Sequence, residues 1–212
     1  MNKHKGIVIC STFSFMLLVL FGLNVSAKDN VKKQAKVNEE ILNYEIDKEH
    51  TEIGFEVAHL VISRVKGRFD KFDGKLQLKG DKLDEIDGTV QAASINSNQE
   101  KRDKHLRSAD FFDVEKFPLL SFEVKNLSLD AGKFKKVKGK LTIHGITRDE
   151  MVEIEYKGKV TDPWGSQKIV VNATAKIHRK DYGLIWNEAM ETGGVMVGDE
   201  VKIEVLAQAN KK

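Results

Sequence analysis

Lys168–Arg179 reads KIVVNATAKIHR, and Ile169, Val171, Ala173, Ala175 and Ile177 fall on alternate positions. A period of two over a whole segment marks a β-strand with one buried and one wet face. Twelve residues at the usual rise would run about 40 Å, which is long for a strand. Met151–Val160 precedes it across an Asp162-Pro163-Trp164-Gly165 turn, and Val137–His144 feeds that strand through a tight reversal at His144-Gly145-Ile146-Thr147. Working back from there, Leu120, Phe122 and Val124 alternate in Leu119–Lys125, and Thr89–Ile95 is a quieter strand of small residues. Leu76 and Leu78 alternate in Lys75–Lys79, as do Ile53, Phe55 and Val57 in Thr51–Val57. Beyond Arg179, a glycine-rich stretch at Thr192-Gly193-Gly194 leads to a last strand carrying Val201, Ile203 and Val205. Eight such strands at even spacing predict an all-β antiparallel fold. Strands this long would expose long edges, which closure into a barrel removes. The interior of an eight-stranded barrel is just wide enough to be filled by side chains or to hold one small ligand.

One segment breaks the pattern. Lys101–Pro118, KRDKHLRSADFFDVEKFP, follows Ser97 and Glu100, whose spacing predicts a capping box at a helix start. Glu100 with Lys104, and Asp103 with Arg107, are spaced for ion pairs one turn apart, and Leu106 and Ala109 are the only apolar residues before Phe111. A helix this polar cannot bury a face, so it is expected to lie over one mouth of the barrel as a lid, anchored by Phe111, Phe112 and Phe117.

Residues 1–27 read as an export signal, with Lys3 and Lys5 at the start, an apolar run from Ile7 to Leu23 and small residues at Val25-Ser26-Ala27. Residues 28–43 read as a polar linker and 44–208 as one domain, with no membrane span once the signal is gone. Removing the signal takes two lysines and no acid, leaving 33 basic against 32 acidic residues. A near-neutral chain offers no electrostatic footprint for nucleic acid. Cys10, the single cysteine, leaves with the signal, so the exported domain is expected to have no disulfide.

Taken together, these segments resemble the YceI-like family of exported, lipocalin-like barrels that bind polyisoprenoids. The resemblance runs from about Tyr44 to about Leu206. It is carried by Asp47-Lys48-Glu49-His50 leading to Phe55, Val57 and His59; by Gly67-Arg68-Phe69 with Phe72 and Gly74; and by Arg102–Ser108 with Asp110-Phe111-Phe112 and Pro118. Further carriers are Gly139–Gly145, Arg179–Gly183 with Trp186-Asn187, and Val197–Val201. Thr51 stands where the family more often has serine, and keeps the hydroxyl. The resemblance implies an apolar tunnel for an isoprenoid quinone or another long-chain lipid as ligand, with no cofactor. It also implies a homodimer. The export signal predicts a periplasmic address, or otherwise a secreted one.

From spacing alone Phe55, Val57, Phe122 and Ile143 are either ordinary core or tunnel wall. The resemblance makes wall residues of Phe69, Phe72, Phe111, Phe112, Tyr182 and Trp186. His59, Arg102, Asp103, His105, Arg107, Arg179 and Asp181 have two readings, as lid fastenings or as contacts to a ligand's polar head. His50, His59, His105 and His144 show no metal-binding spacing. No nucleophile elbow or dinucleotide loop is present, so the alternatives to a binding protein are a lipid-modifying enzyme with an acid-base site at Asp103 and His105, or a purely structural, stress-related exported barrel.

Overall fold

A computed structural model describes residues 39–189 and 195–212. Residues 1–27, read as an export signal, residues 28–38 of the stretch read as linker, and the glycine-rich stretch lie outside the described residues. The strands are β1 (Ile41–Ile46), β2 (Glu52–His59), β3 (Ser63–Phe69), β4 (Phe72–Lys79), β5 (Lys82–Gln91), β6 (Ile95–Asn96), β7 (Leu119–Val124), β8 (Lys133–Ile143), β9 (Ile146–Thr161), β10 (Gln167–His178) and β11 (Val197–Lys211), with one α-helix, α1 (Glu100–Arg107). Every pairing is antiparallel, in the order β1-β4-β5-β7-β8-β9-β10-β11, and β1 closes the ring on β11 with Tyr44 opposite Lys211.

Eleven segments make eight barrel strands, because β1 with β2, β3 with β4, and β5 with β6 are each one strand broken in two. β11 pairs with β1 at one end and with β2 at the other, where Ile203 faces Phe55. The first break is held by Asp47. Its carboxylate accepts from Gln208 Nε2 (2.9 Å), Asn210 Nδ2 (3.3 Å) and the Glu49 amide (3.1 Å), with His50 Nδ1 at 3.0 Å. Burial alone would raise this carboxyl, but the hydrogen bonds from His50, Gln208, Glu49 and Asn210 outweigh it and bring its pKa down to about 2. Thr51 completes the splice, its hydroxyl donating to the Gln208 carbonyl and accepting from the Gln208 amide.

Two strands differ from the sequence reading for identifiable reasons. β5 begins at Lys82, well before Thr89, because a bulge pairs Leu78 with Leu83 but Gln77 with Glu85, and the extra residue breaks the period of two. β3 hides because its central inward position is Gly67, where a side chain would collide with Phe55: a Cβ there would lie 2.4 Å from Phe55 Cζ. β1 starts at Ile41, inside the stretch read as linker, and β11 continues to Lys211.

The interior is packed in two clusters. At the closed end, Tyr44, Leu78, Leu83, Ile154, Tyr156, Ile169 and Ala209 are all essentially inaccessible. Burial pushes the Tyr156 phenol up to about 12, with the nearby Tyr44 and Asp81 adding to it. At the lid end, Phe69, Ile95, Leu120, Leu141, Ile143, Ile177, Tyr182 and Leu184 form the second cluster. The outer wall carries cross-strand and neighbour ion pairs such as Lys136–Glu153, Lys176–Glu200 and Lys202–Glu204. A wall of that kind differs from the outward apolar band of a membrane-spanning barrel.

Candidate ligand cavity

Between the two clusters the barrel is hollow. A cavity of about 370 Å³ lies under α1, and one of about 180 Å³ lies deeper; Phe55, Phe69, Leu120, Ile143 and Ile203 border both. The deeper chamber is walled by apolar side chains from Ile53, Leu76, Ile86, Val152, Val171 and Val205 among others. The outer chamber is largely apolar on the barrel side and more polar toward α1, where Gln99, Lys101, Arg102 and His105 reach it; His59 and Arg179 add polar groups from β2 and the base of the strap. Its size falls in the range of small-molecule pockets, roughly 300–1,000 Å³.

The lid is fastened differently from its sequence signature. Gln99, not Ser97, caps α1, its side-chain oxygen accepting from the Arg102 amide at 2.7 Å. The capping box does not form because Ser97 is taken by Asp103, which is 6 % exposed and accepts from the Ser97 amide (2.8 Å) and hydroxyl. Neither of the expected helical ion pairs is made. Arg107 instead donates to the carbonyls of Ala93 and Ile95, both at 2.8 Å, tying the helix end to the turn between β5 and β6. Ser108 closes the helix by donating to the His105 carbonyl, and the chain then folds back to put Phe111 and Phe112 on the cavity. Phe117 is anchored further off, on Gly145 and against His144, ring centroids 4.3 Å apart.

Across the mouth, residues 184–189 and 195–197 form a strap fastened by Arg179 and Asn187. Arg179, 3 % exposed, donates to the carbonyls of Leu184, Trp186 (2.8 Å) and Gly198 (2.9 Å) and approaches Asp199 at 3.4 Å. Burial pulls its pKa below the ordinary arginine value, with Asp199 opposing. Asn187 donates to the Val197 carbonyl and accepts from its amide, closing the strap on itself. Lid and strap meet at His105, which packs edge-on against Trp186 (4.8 Å) and Phe111 (5.2 Å), with Nε2 lying 3.2 Å from Asp110 Oδ2.

The expected wall residues Phe55, Val57, Phe69, Phe72, Phe111, Phe112, Phe122, Ile143 and Trp186 all line one chamber or both. Tyr182 does not; it is buried behind the wall and donates to Glu150 at 2.8 Å. Of the polar candidates, His59, Arg102, His105 and Arg179 reach the cavity, whereas Asp103, Arg107 and Asp181 do not. Asp181 is exposed and only its carbonyl is engaged, by Arg148 at 2.8 Å. Asp103 bonds to Ser97 and His105 approaches Asp110, so the acid-base pair considered from the sequence is not assembled. Lining residues missed in the sequence include Val65, Ile95, Gln99, Leu184 and Met196. Leu184 and Met196 adjoin the Arg179–Gly183 and Val197–Val201 carriers, Gln99 lies within the Ser97–Glu100 spacing and Ile95 ends a strand read from the sequence; Val65 alone stood in no segment that the sequence marked.

A broken-strand barrel with an aromatic lid over a two-chambered apolar cavity matches the YceI-like domain model across residues 44–209. The chain belongs to the YceI-like family. A UPF0312 protein of Staphylococcus aureus strain N315 is 40 % identical over 171 residues, covering 78 % of this chain and 96 % of that one. Among solved structures, the Campylobacter jejuni YCEI protein is 30 % identical with a TM-score of 0.59, over 78 % of this chain and 96 % of that chain. A polyisoprenoid binding domain from Saccharophagus degradans, implicated in plant cell wall breakdown, shares the fold at 16 % identity with a TM-score of 0.62. That match covers 81 % of this chain and 99 % of the other.

Proposed function

We propose that this YceI-like protein is an exported binding protein that carries or stores a long-chain amphiphile, an isoprenoid quinone, polyprenyl or fatty-acid derivative, without chemical change. The observation that carries this reading is the polarity gradient of the cavity: a deep chamber whose accessible wall is apolar, and an outer chamber where charged and polar groups gather, Gln99, Lys101, Arg102 and His105 from the lid side with His59 and Arg179 beside them. A tail would sit deep, stabilised at about 0.8 kcal/mol per buried methylene. The head would stop beneath α1. Arg102 is the best-placed donor there, since among the described residues two of its five N–H groups are engaged, both by Ser97 at 2.7 and 2.8 Å. Arg179, by contrast, spends its donors on the strap. The resemblance of the fold to a domain named for polyisoprenoid binding supports the same ligand class, and the amino-terminal signal supports export.

Native mass spectrometry of the purified protein, followed by solvent extraction, tests the reading. A stoichiometric hydrophobic adduct of unchanged chemistry is expected. A chain that stays ligand-free after incubation with a quinone and with a polyprenyl phosphate would rule it out, and a lipid recovered chemically altered would make the protein an enzyme.

A further inference from the structure

The turn joining β2 to β3 is built against turn chemistry. Leu60 and Val61 both have positive φ, 51° and 65°, where hairpins ordinarily place Asn or Gly. A β-branched residue is strained in that region, and strain of this kind persists where it serves a function. The three residues of the tip are Leu60, Val61 and Ile62; Ile62 is 93 % exposed and Val61 71 %. The tip also stands at the cavity mouth. Val57, His59 and Val65 of the same hairpin line the outer chamber, and the Leu60 amide donates to the Met196 carbonyl of the strap at 2.9 Å. Ile185 and Val195, both largely exposed, continue the apolar rim on the strap. From Val57 to Gly67 the hairpin holds Arg64 and Lys66 and no acid; Glu56 lies between the two cations and neutralises one.

We propose that this hairpin tip docks the mouth of the barrel onto an anionic phospholipid bilayer, inserting Val61 and Ile62 among the lipids so that a tail passes from membrane to cavity without crossing water. The inference rests on the lipid-carrier reading, which requires a membrane as source or destination. Passage through water would expose every methylene of the tail, and a docked mouth avoids that exposure. The patch is the wrong size for a second copy of the chain. Stable protein interfaces draw on roughly 20–30 residues a side, whereas among the described residues five exposed apolar side chains, Leu60, Val61, Ile62, Ile185 and Val195, border this mouth. An apolar point flanked by cations is instead what an anionic membrane surface receives.

The test uses residues 28–212, since in the S. aureus relative the matched region makes up 96 % of the whole protein. Vesicles of phosphatidylcholine and phosphatidylglycerol at three to one are sedimented with the wild type, with the double variant Val61→Asp and Ile62→Asp, and with Trp164→Asp. Trp164 is an equally exposed apolar residue in the turn between β9 and β10 at the far end of the barrel. Partition of the tip variant is expected to fall about tenfold or more, and that of Trp164→Asp to stay at the wild-type value. In a separate Ile62→Trp variant, indole emission should shift to the blue on adding vesicles. Equal partition of the wild type and tip variant would overturn docking. So would a wild type that ignores vesicles while the tip variant changes only its molar mass in sedimentation velocity, an outcome that assigns the tip to a second copy. Native mass spectrometry on the same preparations separates this inference from the one beneath it. Vesicle binding without any carried lipid removes the carrier function and leaves docking, and carried lipid without vesicle binding removes docking alone.

Discussion

The closed end and the lid end of the barrel use the same eight strands and the same apolar alternation, yet one is solid and the other hollow. At the closed end the inward residues are Leu, Ile, Ala and two tyrosines, packed to essentially zero exposure. Toward the lid the rings of Phe55 and Phe122 lie over Gly67 and Gly139 on neighbouring strands. Flattened there, they leave the space in front of them open. The ends also differ in what holds the chain. Below, apolar packing is joined by the hydrogen bonds of Asp47 and by Lys135 on the Leu127 carbonyl, whereas above, Arg107 and Arg179 hold the carbonyls of the lid and strap. A binding cavity in a small barrel thus depends on concentrating stability in one half.

The contrast breaks most visibly at the closed end. Ile154→Ala, at an inaccessible site, is expected to cost about 2–5 kcal/mol in denaturant unfolding, while lipid carried by the remaining folded protein stays stoichiometric. Next comes Arg179→Ala. Freeing the strap carbonyls should cost on the order of 2–3 kcal/mol, and limited proteolysis should then cut between Leu184 and Val197 before anywhere in the strands. Arg179→Lys should not restore resistance, since one ammonium cannot reach three carbonyls in a plane. Gly67→Ala should cost about 1–3 kcal/mol, because Phe55 must swing away from the new methyl group. The ring's displacement into the cavity should lower the amount of extracted lipid, a loss that Ile154→Ala does not show.

The smallest effect concerns the splice between β1 and β2. The Asp47 pKa is lowered in the folded chain, from 3.8 to about 2. Its contribution to stability is therefore complete above about pH 4 and is lost as pH falls toward 2. Asp47→Asn should flatten the pH dependence of the melting temperature in that window and leave ligand retention unchanged. An unaltered acid limb would remove Asp47 from the account of the closed end.

Much of this was legible in the sequence because barrels write their inside and outside on alternate residues. All eight strands were visible, and the aromatic residues around the mouth stood out against a polar helix. What escaped did so for local reasons. The bulge at Leu83–Glu85 broke the alternation of β5, and Gly67 took the place of an inward side chain in β3. The Ser97–Glu100 spacing of a capping box was genuine, but a buried Asp103 is a stronger partner for Ser97 than a helix terminus. Tyr182 looked like wall because of its neighbours; Glu150, 32 positions upstream, draws its hydroxyl away from the cavity. Which of several arginines is free for a ligand depends on carbonyls that only the folded chain brings near.

The chain's two tryptophans stand at opposite ends, Trp186 on the cavity wall and Trp164 exposed in a turn at the closed end. Titration with a short-chain quinone, followed by fluorescence in Trp164→Phe and Trp186→Phe variants, therefore reads the two regions separately. Saturable, stoichiometric quenching in Trp164→Phe, with none in Trp186→Phe, is the result expected of a ligand seated under the lid. Equal quenching of both, or saturable quenching of Trp164 alone, would contradict a binding cavity at the lid end.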